Sequence, residues 1–274
     1  MWSEKMIIKN QIIFIGGGNM AQAIITGLIS CNVDKSNIFV ADTDQDKRAE
    51  VETKFSIKTT KKILTLSENA IVILATKPDQ IHKVCEEISS QLNSQIIISI
   101  AAGVQLSQIQ KYLKGYDQII RTMPNLVAQI QKSITAAYAH PNINDRNKLI
   151  VDYILNTFGD CIWLEDEKKL DAVTAISGSG PAYVFYFLQI IIQAGEEIGL
   201  SSSESQKLAL KMLQGSAQFA ERNISDLQTI ILNVTSKGGT TEQALKYFKN
   251  HSFNKIIKGA INAAYTRAKE IGEK

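Results

Sequence analysis

The chain is poor in the residues that build metal sites and disulfide frameworks. Cys31, Cys85 and Cys161 are odd in number, far apart and never in a C-x-x-C arrangement. That pattern indicates neither a disulfide framework nor a zinc site, and the three thiols read as small core hydrophobes. His82, His140 and His251 are equally scattered, with no His-x-x-His spacing, so no metal is expected. Charge of one sign is also scarce: 30 Lys and Arg stand against 27 Asp and Glu, a formal net charge of +3, and no basic run forms a stripe. An electrostatic footprint for nucleic acid is therefore missing, and a small molecule is the expected partner. Residues 1–9 carry both signs of charge and no apolar core of secretory length. The expected location is cytoplasmic. The longest apolar stretch, 182–200, is interrupted by Gln189, Gln193, Glu196 and Glu197, which favours a buried helix over a membrane span.

What is present is a chain that is 45% hydrophobic and 21% charged, enough for two domains with real cores. Up to about Leu164, short β-branched runs alternate with helical stretches, the rhythm of a parallel sheet doubly wound with helices. Strands are predicted at 12–15, 38–41, 70–75, 96–100, 119–122, 134–138 and 161–164. Their uninterrupted apolar character, as in Ile71-Val72-Ile73-Leu74, fits strands covered on both faces. Beyond Leu164 only helical spacing recurs, in Leu208, Met212 and Phe219 and again in Ile256, Ala260, Ile261, Ala264, Tyr265 and Ala268. The fold class is thus α/β, an N-terminal Rossmann-type domain over 1–164 followed by an all-helical domain over 165–274. The helix from Ala182 is apolar on nearly every face, so a second subunit is expected to bury it.

The strand at 12–15 runs into Gly16-Gly17-Gly18-Asn19-Met20-Ala21 and then a helix. A pyrophosphate needs those parts: a turn with no side chain in the way, backbone N–H groups and a helix N-terminus. A second strand ending in Asp42 completes the context. There a carboxylate accepts hydrogen bonds from the adenosine ribose hydroxyls and repels a 2′-phosphate, which favours NADH over NADPH. A plain helix-capping role is the alternative for Asp42. Lys47 and Arg48 keep NADPH open, since either could reach a phosphate. At the next two strand ends, Ala75-Thr76-Lys77-Pro78 and Ala101-Ala102-Gly103 lie on the carboxyl edge where open α/β sheets bind ligands. With Ile15, these residues form the candidate cofactor site.

The run Asp171-Ala172-Val173-Thr174-Ala175-Ile176-Ser177-Gly178-Ser179-Gly180-Pro181-Ala182-Tyr183 closely resembles the pyrroline-5-carboxylate reductases. Further marks agree in order and spacing: Phe14-Ile15-Gly16-x-Gly18-Asn19-Met20, Lys77-Pro78, Ser99-x-Ala101-Ala102-Gly103, Arg121-x-Met123-Pro124-Asn125 and Gly238-Gly239-Thr240-Thr241. The resemblance implies hydride transfer from NADH or NADPH to a cyclic imine, giving L-proline, by a homodimer or larger ring joined through the helical domain. It also implies a substrate site at Asn125, Ser236, Gly238, Gly239, Thr240 and Thr241, with the Thr241 hydroxyl facing the ring nitrogen. The glycine pair and the helix after it make sense as an anion cradle, because they offer several unobstructed N–H donors to a carboxylate. An electrophilic imine asks mainly for orientation, so no conspicuous acid–base constellation is required.

The chain departs from the family pattern at Leu126-Val127-Ala128-Gln129-Ile130, where Thr-Pro and a glycine are usual. It also has Lys237 in place of a proline, and Lys62 and Ile63 near an expected asparagine. Two other readings stand beside the reductase. One is a related imine or hydroxyacid reductase; hydroxyacid enzymes, however, place a lysine on the inter-domain helix, and 182–197 has none. The other is a dinucleotide-binding protein without turnover.

Overall fold

An uninterrupted apolar strand needs cover on both sides, and the central strands have it. In β1 (Ile12–Ile15) the side chains alternate, Ile12 and Phe14 entering one core, Ile13 and Ile15 another. The first core is closed by α1 (Asn19–Ser30), α2 (Gln45–Phe55) and α5 (Asp145–Asn156). The second is closed by α3 (Ile81–Ile88) and α4 (Leu106–Tyr112). The structure, a computed structural model, describes residues 8–272, the side chain of Ser225 excepted.

Eight strands form one sheet: β1, β2 (Ile38–Ala41), β3 (Lys58–Thr60), β4 (Ile71–Leu74), β5 (Ile96–Ser99), β6 (Ile119–Met123), β7 (Ser133–Ala139) and β8 (Gly159–Trp163). Their order is β3-β2-β1-β4-β5-β6-β7-β8, so Ile12 pairs with Ile38 on one side and Ile71 on the other. The chain winds outward from β1 to β3, then returns to β4 beside β1. The crevice at this reversal, beyond the carboxyl ends of β1 and β4, is where doubly wound sheets take ligands.

Two features depart from the sequence reading. Strand β3 is an unpredicted edge strand of three residues, Lys-Thr-Thr, too short and polar to carry an apolar signal. Strand β7 runs antiparallel to β6. Only nine residues join them, too few for the crossover that a parallel pair requires. The α5 crossover then makes β8 parallel to β7.

The chain divides into two compact units. One holds the sheet and runs through Ser179, regaining the end of the last helix from Ala264 onward; the other is Gly180–Ala263. Every element after Trp163 among the described residues is helical. Helix α6 (Lys169–Val173) passes through a π turn, Thr174–Gly178, into α7 (Gly180–Glu197). In that turn the Ser179 N–H donates to Thr174 O at 2.8 Å, and Gly178 lies where a Cβ would meet Met123 Cε at 2.5 Å. Helix α8 (Ser202–Glu221) opens on a reciprocal cap, Ser201 N–H to Glu204 and Glu204 N–H to Ser201 Oγ. It packs closely on α7, since a Cβ on Gly195 would lie 2.7 Å from Ser205 Oγ. Helices α9 (Leu227–Asn233), α10 (Thr240–Asn250) and α11 (Phe253–Gly272) follow.

Among the described residues, none on helix α7 is buried. Phe185 is 52% exposed and Tyr186 66%, and Leu208, Met212, Phe219 and Ile256 on the periodic faces of α8 and α11 are exposed as well. Among the described residues, Lys169–Glu197 is the one helix long and apolar enough to cross a membrane by composition. Cys85 is buried and Cys161 half-buried, and burial pushes both thiols up to about 12. Cys31, expected in the core, is exposed, because it sits at the C-terminal end of α1, beyond the helix's buried face.

Candidate functional site

At the end of β1 the chain turns through Gly16, whose N–H donates to Ala41 O at 2.8 Å. Gly16 has φ +106°, and a Cβ there would lie 2.5 Å from Ala75 O, so close approach to β4 and backbone sign both demand glycine. Gly17 packs against Val40, and its N–H donates to Asp42 Oδ2 at 2.8 Å. Gly18 differs. Its φ of −70° suits any residue, yet nothing lies within 4 Å of where its Cβ would stand. It is the N-cap of α1, and no side chain caps that helix. Asn19 and Met20 open the first turn, while Ala21 is fully buried against the sheet. An uncapped helix N-terminus beneath open space is a place for an anion.

Asp42 follows β2 and belongs to the same turn. Its Oδ1 accepts from the Asp44 N–H at 2.9 Å while Oδ2 holds Gly17. The cap of α2 is Asp44 itself, accepting from Asp46 and Lys47 N–H, so Asp42 is not the helix cap. Arg48 Nη1 donates to Asp42 O at 2.8 Å.

Ala75, Thr76, Lys77 and Pro78 follow β4, tied in by Ala75 N–H to Ile15 O at 2.8 Å. Pro78 occupies the first position of a short 3-10 turn, and Lys77 is exposed. The Thr76 hydroxyl is buried and has no hydrogen-bond partner among the described residues, an unusual state for a buried donor. After β5, Ala101 is buried and Ala102 half-buried, and the Ala101 N–H donates to Ser99 Oγ at 3.3 Å. Asn125 follows β6; its Oδ1 accepts from Ser133 Oγ at 3.1 Å, which anchors it to β7. The unusual segment Leu126–Ile130 forms a 3-10 turn whose Ala128 is buried in the same core as α1.

The remaining candidates lie in the helical unit. Gly239 is the N-cap of α10, Thr240 and Thr241 are its first two residues, and Gly238 has φ +77°. A Cβ on Gly239 would lie 2.4 Å from Ser236 Oγ, so the loop folds tightly on itself. Gly238 N–H, read from sequence as a free donor, is taken by Glu242 Oε2 at 2.7 Å. That contact and Lys246 hold the Glu242 carboxyl below the usual carboxylate range. Thr241 is half-buried, and Lys237 stands in solvent. Sequence reasoning overlooked Glu242, although a glutamate four residues after a loop glycine and at the start of a helix is a recognisable capping signal. The cofactor candidates and Asn125 thus gather on the sheet unit, and Ser236, Gly238, Gly239, Thr240 and Thr241 on the helical unit.

A glycine turn open to an anion at the reversal of a doubly wound sheet, in a chain that continues as helices, defines a nicotinamide-dinucleotide oxidoreductase. Residues 11–103 match a family described as NADP oxidoreductase, coenzyme F420-dependent, and residues 167–271 match the pyrroline-5-carboxylate reductase dimerisation family. The pyrroline-5-carboxylate reductase of Pseudomonas aeruginosa is 34% identical over 265 residues, 96% of this chain and 97% of that protein. The solved pyrroline-5-carboxylate reductase of Coxiella burnetii superposes with a TM-score of 0.87 at 34% identity, covering 97% of this chain and 99% of that one. The Plasmodium falciparum pyrroline carboxylate reductase, solved with NADP bound, gives 0.86 at 27% identity over 97% and 99%. The chain belongs to the pyrroline-5-carboxylate reductase family.

Proposed function

We propose that this protein reduces 1-pyrroline-5-carboxylate to L-proline, the last step of proline biosynthesis, with NADH as the preferred cofactor. The observation that carries the reading is the open space over Gly18 and the uncapped start of α1. The partnerless Thr76 hydroxyl beside that turn fits the same occupant. The ring substrate follows from similarity to relatives along 96% of the chain.

The reduced nicotinamide, when bound, supplies the hydride that adds to C5 of the imine. The glycine turn and α1 hold the pyrophosphate, and residues Ala75, Thr76, Ala101 and Ala102 shape the cleft toward the nicotinamide end. Backbone N–H groups of Thr240 and Thr241 at the start of α10 hold the substrate carboxylate, since Gly238 N–H is taken by Glu242 and Gly239 N–H by Ser236 O at 3.0 Å. The Thr241 hydroxyl faces the ring nitrogen, whose proton makes the C=N bond electrophilic and stays on nitrogen as the amine forms. Water exclusion and orientation supply the acceleration.

The NADH preference rests on Asp42. Both of its oxygens are oriented by backbone N–H groups, which fixes a negative charge where a 2′-phosphate would sit, and Arg48 is engaged with Asp42 O. Residues 1–164 form the cofactor domain in this reading, and 165–274 bind substrate and pair two copies, burying the exposed apolar faces of α7, α8 and α11 in a cytoplasmic homodimer. The test is an absorbance assay of purified protein with the imine and each reduced cofactor. Oxidation of NADH with formation of proline is the expected result; no turnover with either cofactor refutes the proposal.

A further inference from the structure

Glu167 lies four residues beyond β8, just ahead of α6. Its Oε1 accepts two hydrogen bonds from parts of the chain remote from it: the Leu106 backbone N–H at 2.6 Å and Arg121 Nη1 at 2.8 Å. Arg121, on β6, is 4% exposed, and its other arm stands 3.9 Å from Asp171 of α6. Leu106 is the first residue of α4, and residues 101–105 before it form the loop at the end of β5. One carboxylate oxygen thus ties the far end of that loop to the neighbouring strand.

The same loop is held at two more points. Ala101 N–H is fixed to Ser99 Oγ. Gly103, at φ +81°, is covered by Ile271 of α11, whose Cγ2 lies 2.3 Å from where a Cβ would stand. A seven-residue helix already capped by the Gln108 side-chain amide, which accepts from the Gln105 N–H, does not need a carboxylate recruited from 61 residues away. Bringing a charged pair under cover costs desolvation, which the pairing only partly returns. What that arrangement secures is the height of residues 101–103 above the sheet.

We infer that Glu167, oriented by Arg121, is a positioning residue that sets the backbone of Ala101 and Ala102 against the nicotinamide end of the cofactor. The inference rests on the cofactor reading above. Glu167 touches neither cofactor nor substrate; it acts through the Leu106 N–H.

Glu167→Asp keeps a carboxylate near Arg121 but withdraws it from Leu106 by one methylene, and Glu167→Gln keeps an oxygen able to accept from both donors. Each variant and the wild type are titrated with NADH and with ADP, which carries the adenosine and pyrophosphate parts only. Glu167→Asp is expected to weaken NADH roughly tenfold, the worth of one hydrogen bond, and to leave ADP unchanged. Glu167→Gln is expected to bind both as the wild type does. Equal weakening of NADH and ADP marks general damage to the fold and overturns the inference, as does unaltered NADH binding in Glu167→Asp. A wild type that binds ADP but gains nothing from the nicotinamide half overturns it too. A wild type that binds neither nucleotide refutes the cofactor reading itself, and the inference with it.

Discussion

Gly16 and Gly18 stand two residues apart in one turn, and the structure asks for glycine at each for a different reason. At Gly16 the protein itself forbids a side chain: φ is +106° and the added Cβ meets a carbonyl oxygen at 2.5 Å. At Gly18 it does not, since φ is −70° and the space is open. Gly18→Ala is therefore expected to fold about as well as the wild type. A compatible Gly→Ala change stabilises by roughly 0.4–1 kcal/mol through the unfolded chain, which alanine's poorer N-cap propensity offsets at this position, so Tm should stay within about 4 °C of the wild type. The new methyl then occupies the volume over the first N–H groups of α1. Losing one charge-assisted hydrogen bond there costs about 1.5–3 kcal/mol, which is roughly a 10- to 150-fold rise in the Kd for NADH. Gly16→Ala has the opposite signature, with strain of order 1–3 kcal/mol before the β4 backbone shifts, and a lowered Tm. Circular dichroism melts and fluorescence titration with NADH read the two quantities separately. If Gly18→Ala binds NADH as the wild type does, the turn is not the pyrophosphate cradle. If it melts well below the wild type, the claim that only a ligand requires this glycine is wrong.

Asp42→Ser removes the fixed charge and is expected to raise the NADPH-to-NADH ratio of kcat/KM at least roughly tenfold; an unchanged ratio refutes the repulsion argument. Thr241→Ala is expected to lower kcat on the imine by roughly 10- to 100-fold with the NADH Kd unaltered, and an unchanged rate removes Thr241 from the chemistry. The depressed pKa of Glu242 carries a sign. Its contribution is fully present above the unfolded carboxylate value and is lost as the pH falls through the lower folded value. The Tm difference between wild type and Glu242→Ala should therefore be constant near neutrality and shrink in acid, and a difference that persists at the lowest pH points to a cause other than this carboxylate.

Local signals made much of this molecule readable in advance. The run Ile12–Ile15 followed by three glycines announces a buried strand, a tight turn and a helix, and each follows from contacts among near neighbours in sequence. The antiparallel β7 was in reach, because a connection as short as 124–132 cannot make the crossover a parallel pair needs, but the strand's own composition carries no direction. Strand β3 escaped because three polar residues take their conformation from pairing with β2. Among the site residues, the glycines and Asp42 were legible through spacing. The use of the Gly238 N–H by Glu242 was in reach, while the bond from Leu106 to Glu167 was not, because only the folded sheet brings them together.

Helix α11 begins among the helical elements and ends on Gly103 at the edge of the sheet. In chain topology the helical unit is therefore an insertion, leaving the sheet unit at Ser179 and rejoining it at Ala264. Fragment work and domain grafting should respect this. A nucleotide-binding piece cut simply at the end of β8 loses Glu167, Asp171 and the closing turn of α11 together, whereas one that links 179 to 264 keeps the sheet unit's own residues in a single chain.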